Sequence, residues 1–112
     1  MATNVFKSKR HDTGMSPQVT FTPPTGLTWD LEEAGITARF IARLPAATAP
    51  KITGTAVVTG PWSVRYDPGP EDVDTIGAYD VEVEITRANG RKLTFPTEGF
   101  LSWVIGTDLN NA

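Results

Sequence analysis

The 112-residue sequence contains no cysteine and a single histidine, His11. The first absence excludes disulfide scaffolds, thiol nucleophiles, Cys-ligated zinc and iron–sulfur clusters. The second leaves imidazole chemistry to one residue in a polar N-terminal stretch, where no wall of predicted structure could hold it as a general base. No apolar run approaches the roughly 18 residues of a membrane-spanning helix. Helical period is equally scarce, the best candidate being a single turn at Leu31 to Ala34. Neither sign of charge dominates: ten Lys and Arg against thirteen Asp and Glu give a net charge of −3. The two signs are interspersed, which excludes the clustered cations of a general nucleic-acid binder. Gly54, Gly60, Gly69, Gly77 and Gly90 stand singly at turns and strand breaks, so no phosphate-cradling loop is present. Lys7, Lys9 and Arg10 follow the first apolar residues, the reverse of a secretion signal, and this order predicts a protein made and kept in a cytoplasm.

What the sequence does contain is a period of two. Tyr79, Val81, Val83 and Ile85 alternate with Asp80, Glu82, Glu84 and Thr86, which predicts a half-buried strand. Asn89-Gly90 then supplies the turn of a hairpin into Lys92-Leu93-Thr94-Phe95. Ile36, Ala38, Phe40, Ala42 and Leu44 share one face of a second strand that stops at Pro45, with Ile41 as the exception on the other face. Gln18 to Thr22, Lys51 to Thr59, Trp62 to Tyr66 and Phe100 to Ile105 are short, β-rich and fenced by Gly or Pro. The expected fold is therefore all-β, a single antiparallel β-sandwich of about seven strands, immunoglobulin-like. A flexible arm over 1–14, the sandwich over 15–107 and a tail over 108–112 are its expected divisions.

Two loops exceed what a turn needs. Pro45 to Pro50 is Ala- and Pro-rich, and Asp67 to Thr75 carries Pro68 and Pro70 with Glu71, Asp72 and Asp74; both compositions predict surface exposure. The carboxylates offer oxygen ligands of the kind calcium takes, but they lack the alternation and central Gly of an EF-hand loop. Neither a metal nor any other cofactor is expected. The same carboxylates would need to face each other across a sugar-sized cleft to hydrolyse glycosides, so the chain is read as no enzyme. Leu101, Trp103 and Ile105 share one face of a strand whose other face carries Phe100, Ser102 and Val104. A strand apolar on both sides is either central or presents a side to a partner. Leu101, Trp103 and Ile105, together with Lys7, Lys9 and Arg10 of the arm, are accordingly the candidate partner-binding residues.

The order of motifs resembles a family of small β-sandwich domains in bacteriophage virions, the N-terminal domain of the baseplate upper protein. Asp12-Thr13 followed by Val19 and Phe21 is similar to its opening strand, and Trp29-Asp30-Leu31 followed by Ile36 to Phe40 is similar to its next step. Trp62 to Tyr66, then Asp74-Thr75 and Gly77-Ala78-Tyr79, resembles a strand, acidic loop and G-x-Y strand. Asn89-Gly90, Thr94-Phe95-Pro96 and Gly99-Phe100 resemble its closing hairpin and last strand. The resemblance implies a non-enzymatic virion structural protein, a tail, baseplate or neck component that binds other phage proteins and repeats as a homo-oligomer, assembled in the host cytoplasm. It implies no membrane and no specific nucleic acid as partner. A capsid decoration protein is the alternative. A carbohydrate-binding module is a further one, which requires Trp29, Trp62 or Trp103 exposed as a stacking platform.

Overall fold

A computed structural model of the chain describes residues 5–96 and 100–107. The expected tail over 108–112, the first four residues of the expected arm, and Gly99 of the closing motif lie outside the described residues. Among the described residues eight strands follow in order: β1 (Val5–Lys9), β2 (Gln18–Thr20), β3 (Thr37–Arg43), β4 (Ile52–Gly60), β5 (Ser63–Arg65), β6 (Gly77–Thr86), β7 (Lys92–Phe95) and β8 (Leu101–Gly106). They form one sheet in the order β1-β8-β6-β3-β4-β5-β2, with β7 also pairing β6. The all-β expectation holds, while the finer picture of an antiparallel sandwich of about seven strands is corrected. The sheet is mixed, because β1 runs parallel to β8, and it is continuous, because β4 belongs to two walls.

The physical reason for the curl lies in β4. Its first half, Ile52 to Ala56, pairs with β3, and from Val57 onward it pairs with β5, with a register shift between Val58 and Gly60. Such an irregularity bends and twists a strand, so β5 and β2 fold over the inner face of the wall built by β1, β8, β6, β7 and β3. That inner face is where period-two patterning places the apolar side chains: Ala38, Phe40 and Ala42 from β3, Tyr79, Val81, Val83 and Ile85 from β6, and Val19 and Val64 from the covering wall. Phe40 stacks on Tyr66 at 4.5 Å between centroids and meets Trp103 edge-on at 5.8 Å. At the other end Phe21 stacks on Phe95 at 4.3 Å, joining the chain after β2 to β7.

Two further expectations change. Residues 5–9 of the expected arm are sheet, with Val5 opposite Ser102 and Lys9 opposite Gly106. The loop Asp67 to Thr75, expected on the surface, contains a 3-10 turn, Pro70–Val73, that drives Val73 into the core at 0% exposure. The hairpin after β6 forms at Asn89-Gly90, but of the two only Gly90 has positive φ. The Gly90 amide donates to the Arg87 carbonyl and the Arg87 amide to the Arg91 carbonyl. This is a four-residue turn closed by a left-handed glycine rather than a two-residue loop with both central residues at positive φ.

Candidate interaction surface

Of the residues expected to meet a partner, Leu101, Trp103 and Ile105 are core, exposed at 8%, 0% and 1%. This corrects their assignment. β8 is not an edge but lies between β1 and β6, and its odd-numbered side chains point inward. The Trp103 indole Nε1 donates to Ser8 Oγ at 3.0 Å. The alternation along β8 was readable, but two apolar faces leave the inward one undetermined until the neighbours are known. The outward set is Phe100, Ser102 and Val104, and Phe100 is 48% exposed. Lys7 and Lys9 are exposed on the same outer side of β1, since Phe6 packs on the core and Ser8 meets Trp103. Arg10 continues from β1, half-buried, with its amide donating to the Gly106 carbonyl at 2.7 Å.

The outer face of this wall orders its charges by strand. On β6, Asp80, Glu82 and Glu84 stand in a row, each half-buried. On β3 their cross-strand partners are Arg43, Ile41 and Arg39 respectively. Glu84 is neutralised from two sides, by Arg39 at 3.9 Å and Lys92 at 3.7 Å. Asp80 and Glu82 have no cation at bridging distance among the described residues, although Arg43 lies across from Asp80. Beside them Phe100, Ile41, Pro50 and Arg43 enclose a depression of about 120 Å³. On the far side of β6, Ala78 is level with Val104 of β8, which is level with Lys7 of β1. Across the sheet the face therefore reads basic, neutral, acidic and basic again.

The other candidate sites are occupied by their own contacts. In the acidic loop, Asp67 accepts from Arg65 and Ser16, Asp72 accepts from Tyr66 Oη at 2.6 Å and the Gly69 amide, and Asp74 pairs with Lys51 at 2.8 Å. The Arg65 guanidinium and Ser16 hydroxyl hold the Asp67 carboxyl below its ordinary range, and Lys51 and Thr75 do the same for Asp74. These carboxylates are spent in pairs rather than turned toward one point, and no group of three metal-donor side chains occurs among the described residues. His11 is exposed, in a left-handed turn at φ 72°, with its amide donating to the Val73 carbonyl. Trp29 and Trp62 are half-buried and border an open groove of about 340 Å³ with Pro23, Pro24, Thr28 and Asp30. Yet the Arg87 guanidinium lies 4.7 Å over the Trp29 ring, held there by both oxygens of Glu33. Trp62 is wedged between Trp29 and Phe95. Trp103 lies in the core, and Trp29 and Trp62 are half-buried and engaged by Arg87, Phe95 and each other, so none of the three indoles is the exposed stacking platform that a carbohydrate-binding module requires.

No family model matches the chain, and no curated protein matches it. Among solved structures it is similar to CopC from Methylosinus trichosporium OB3b, with a TM-score of 0.53 and 12% identity over 99% of this chain and 91% of that one. This likeness is one of fold. It overturns the expectation of a bacteriophage virion component, whether in tail, baseplate, neck or capsid decoration, since the similar fold is that of CopC and not of a virion protein. The physical reason is that strand order and turn spacing belong to a fold, and one fold carries many functions.

Proposed function

We propose that the chain is a non-catalytic protein-binding domain that docks through the outer face of the wall formed by β1, β8, β6 and β3. The observation that carries this reading is the exposed Phe100 beside Asp80 and Glu82, two half-buried carboxylates without a bridging cation among the described residues. Exposed aromatic side chains next to unneutralised charge are the anchors of protein interfaces: the ring supplies area and the charges supply selectivity. Catalysis has no comparable support, for Asp67, Asp72 and Asp74 of the acidic loop are engaged in separate contacts and the one imidazole stands in solvent.

A photo-crosslinking residue placed at Ser102, in the middle of this face, tests the reading in cells that make the protein naturally. Defined protein adducts from position 102, and none from a control at the exposed Thr25 in the connection between β2 and β3, are the expected result. A face at which position 102 captures nothing overturns it.

A second reading, metal handling, is weighed on the donors that the chain itself offers. The imidazole of His11 and the carboxylates of Asp12 and Asp74 are the nearest candidates for donors, but Asp74 is bound by Lys51 and Thr75, and Asp12 accepts from the Lys9 amide. With no cysteine, one histidine and two methionines in the sequence, and no group of three His, Asp or Glu donors among the described residues, the described residues do not fit a site for a soft or borderline metal, which takes thiolate, thioether and imidazole ligands.

A further inference from the structure

We infer that the partner of this face is a second copy of the chain, docked about a two-fold axis that sets the basic strip of one copy on the acidic strip of the other. The inference rests on the protein-binding reading above and adds the identity of the occupant. Its ground is that both halves of a complementary pair lie on one face. Lys7 and Lys9 of β1 stand exposed on one side of β8, and Asp80 and Glu82 of β6 stand on the other. Within one copy the strips cannot meet, because β8 holds them two strand spacings apart, on the order of 10 Å. Lys7 is level with Ala78 and not with Asp80, so the strips are also staggered along the strands, and a two-fold axis in the plane of the face, midway between them and inclined to the strands, carries each strip of one copy onto the opposite strip of the other. Every charge contact is then made twice, which is the economy of an isologous interface.

The ground between the strips suits such a contact. It carries Val104, Ala78 and Ser102, side chains small enough to let two sheet faces approach, and Phe100 at its margin. Sheets pack face to face either nearly aligned or nearly orthogonal, so the two-fold does not demand an unusual crossing. Glu84 takes no part, as Arg39 and Lys92 already neutralise it. Asp80 and Glu82, which have no bridging cation among the described residues, are the ones on this face that gain a cation. Attraction of this kind between solvent-facing charges is screened over about 10 Å at 0.1 M salt, so the association depends on ionic strength.

Sedimentation velocity of the full chain across protein concentration, at low and high salt, is the decisive measurement, because it needs no variant. A concentration-dependent dimer whose dissociation constant rises at least tenfold between about 20 mM and 500 mM salt is expected, given that screening. Lys7→Glu with Lys9→Glu is expected to abolish it, as is Asp80→Lys with Glu82→Lys. Mixing the two variants restores a one-to-one pair, and circular dichroism of each confirms that it folds. A chain that stays monomeric at low salt, or a dimer indifferent to salt and to both charge reversals, overturns the inference. Crosslinks from position 102 to a different protein, together with a monomeric chain, would overturn the second copy and leave the protein-binding reading standing; no crosslinks at all would remove both.

Discussion

Tyr66 shows how closely single residues are fitted in this fold. Its ring lies parallel to Phe40 at an interplanar angle of 4°, and its hydroxyl donates to Asp72, whose carboxylate also accepts the Gly69 amide. On its remaining side is Gly54, directly opposite Phe40 in the β3–β4 register. A Cβ at position 54 would stand 2.5 Å from the ring carbon Cε1 and 2.6 Å from the hydroxyl oxygen. The ring cannot retreat from that contact without giving up either the stack or the hydrogen bond. Overpacking of this kind costs about 1–3 kcal/mol, so Gly54→Ala is expected to lower the urea midpoint by a corresponding amount. Gly77→Ala serves as the comparison. Its Cβ would meet Leu44 Cδ2 at 2.7 Å, the end of a flexible side chain that can turn aside, so a smaller loss is expected. Equal losses at the two positions would show that the Tyr66 stack is looser than its geometry. Nothing in the sequence pointed to this pairing: Gly54 reads as a strand glycine, and only the bend of β4 brings residue 66 across to it.

At the scale of the element, legibility follows the range of the interactions that make each strand. β6 and β7 pair through a turn, and β3 carries its own alternation, so the sequence expectations for 79–86, 92–95 and 36–44 agree with the strands observed to within two residues at each end. β1 escaped because its partner is β8, nearly a hundred residues away, and because a five-residue strand alternating Lys7 and Lys9 with Phe6 and Ser8 reads as a polar arm. The same missing neighbour hid the candidate surface. Without its neighbours in place β8 has no determined inward face, and Trp103 reads as a partner contact instead of a core residue bonded to Ser8. This difference is testable. A dispensable arm predicts that deletion of residues 1–9 is harmless. The observed sheet predicts that it strips the covering strand from β8, uncovers apolar area against Phe6, and leaves the Trp103 N–H without an acceptor. Burial of one large side chain is worth about 1.5–3 kcal/mol and an unpaired buried donor costs about 1–3 kcal/mol. The truncated chain is therefore expected to lose several kcal/mol in chemical unfolding and to aggregate through its new free edge. Ser8→Ala isolates the hydrogen bond and is expected to cost about 1–3 kcal/mol alone; a truncation with an unchanged midpoint would place β1 outside the cooperative unit.

For the whole molecule, charge pairs tie loops to the sheet walls, and their titration sets the pH range of the fold. Glu33, bonded by Arg87, and Asp67 and Asp74, bonded by Arg65 and Lys51, all have carboxyls held below their ordinary values of 4.5, 3.8 and 3.8. A group depressed in the folded state adds stability above its unfolded pKa and loses it as the pH falls through the folded one. Each pair is solvent-facing and weak alone, but all three act in the same direction, so stability is expected to decline below about pH 4.5. On the alkaline side the signs reverse. Burial raises the phenols of Tyr66 and Tyr79 above the ordinary 10.0, with Asp72 adding to the first, and the Asp74 carboxylate raises Lys51 above 10.5. A raised group contributes fully below its unfolded pKa, and that contribution is lost as the pH climbs from there through the folded value. Urea unfolding followed from pH 2.5 to 11.5 should therefore give a plateau between about pH 5 and 9 with a fall on either side. Tyr66→Phe distinguishes the phenols from a general charge effect. Removing the ionisable hydroxyl is expected to shrink the alkaline fall while leaving the acid one in place. If the variant declines above pH 10 as steeply as the parent chain, burial of the Tyr66 phenol between Phe40 and Gly54 does not limit the fold at high pH, and Lys51 and Tyr79 must carry the loss.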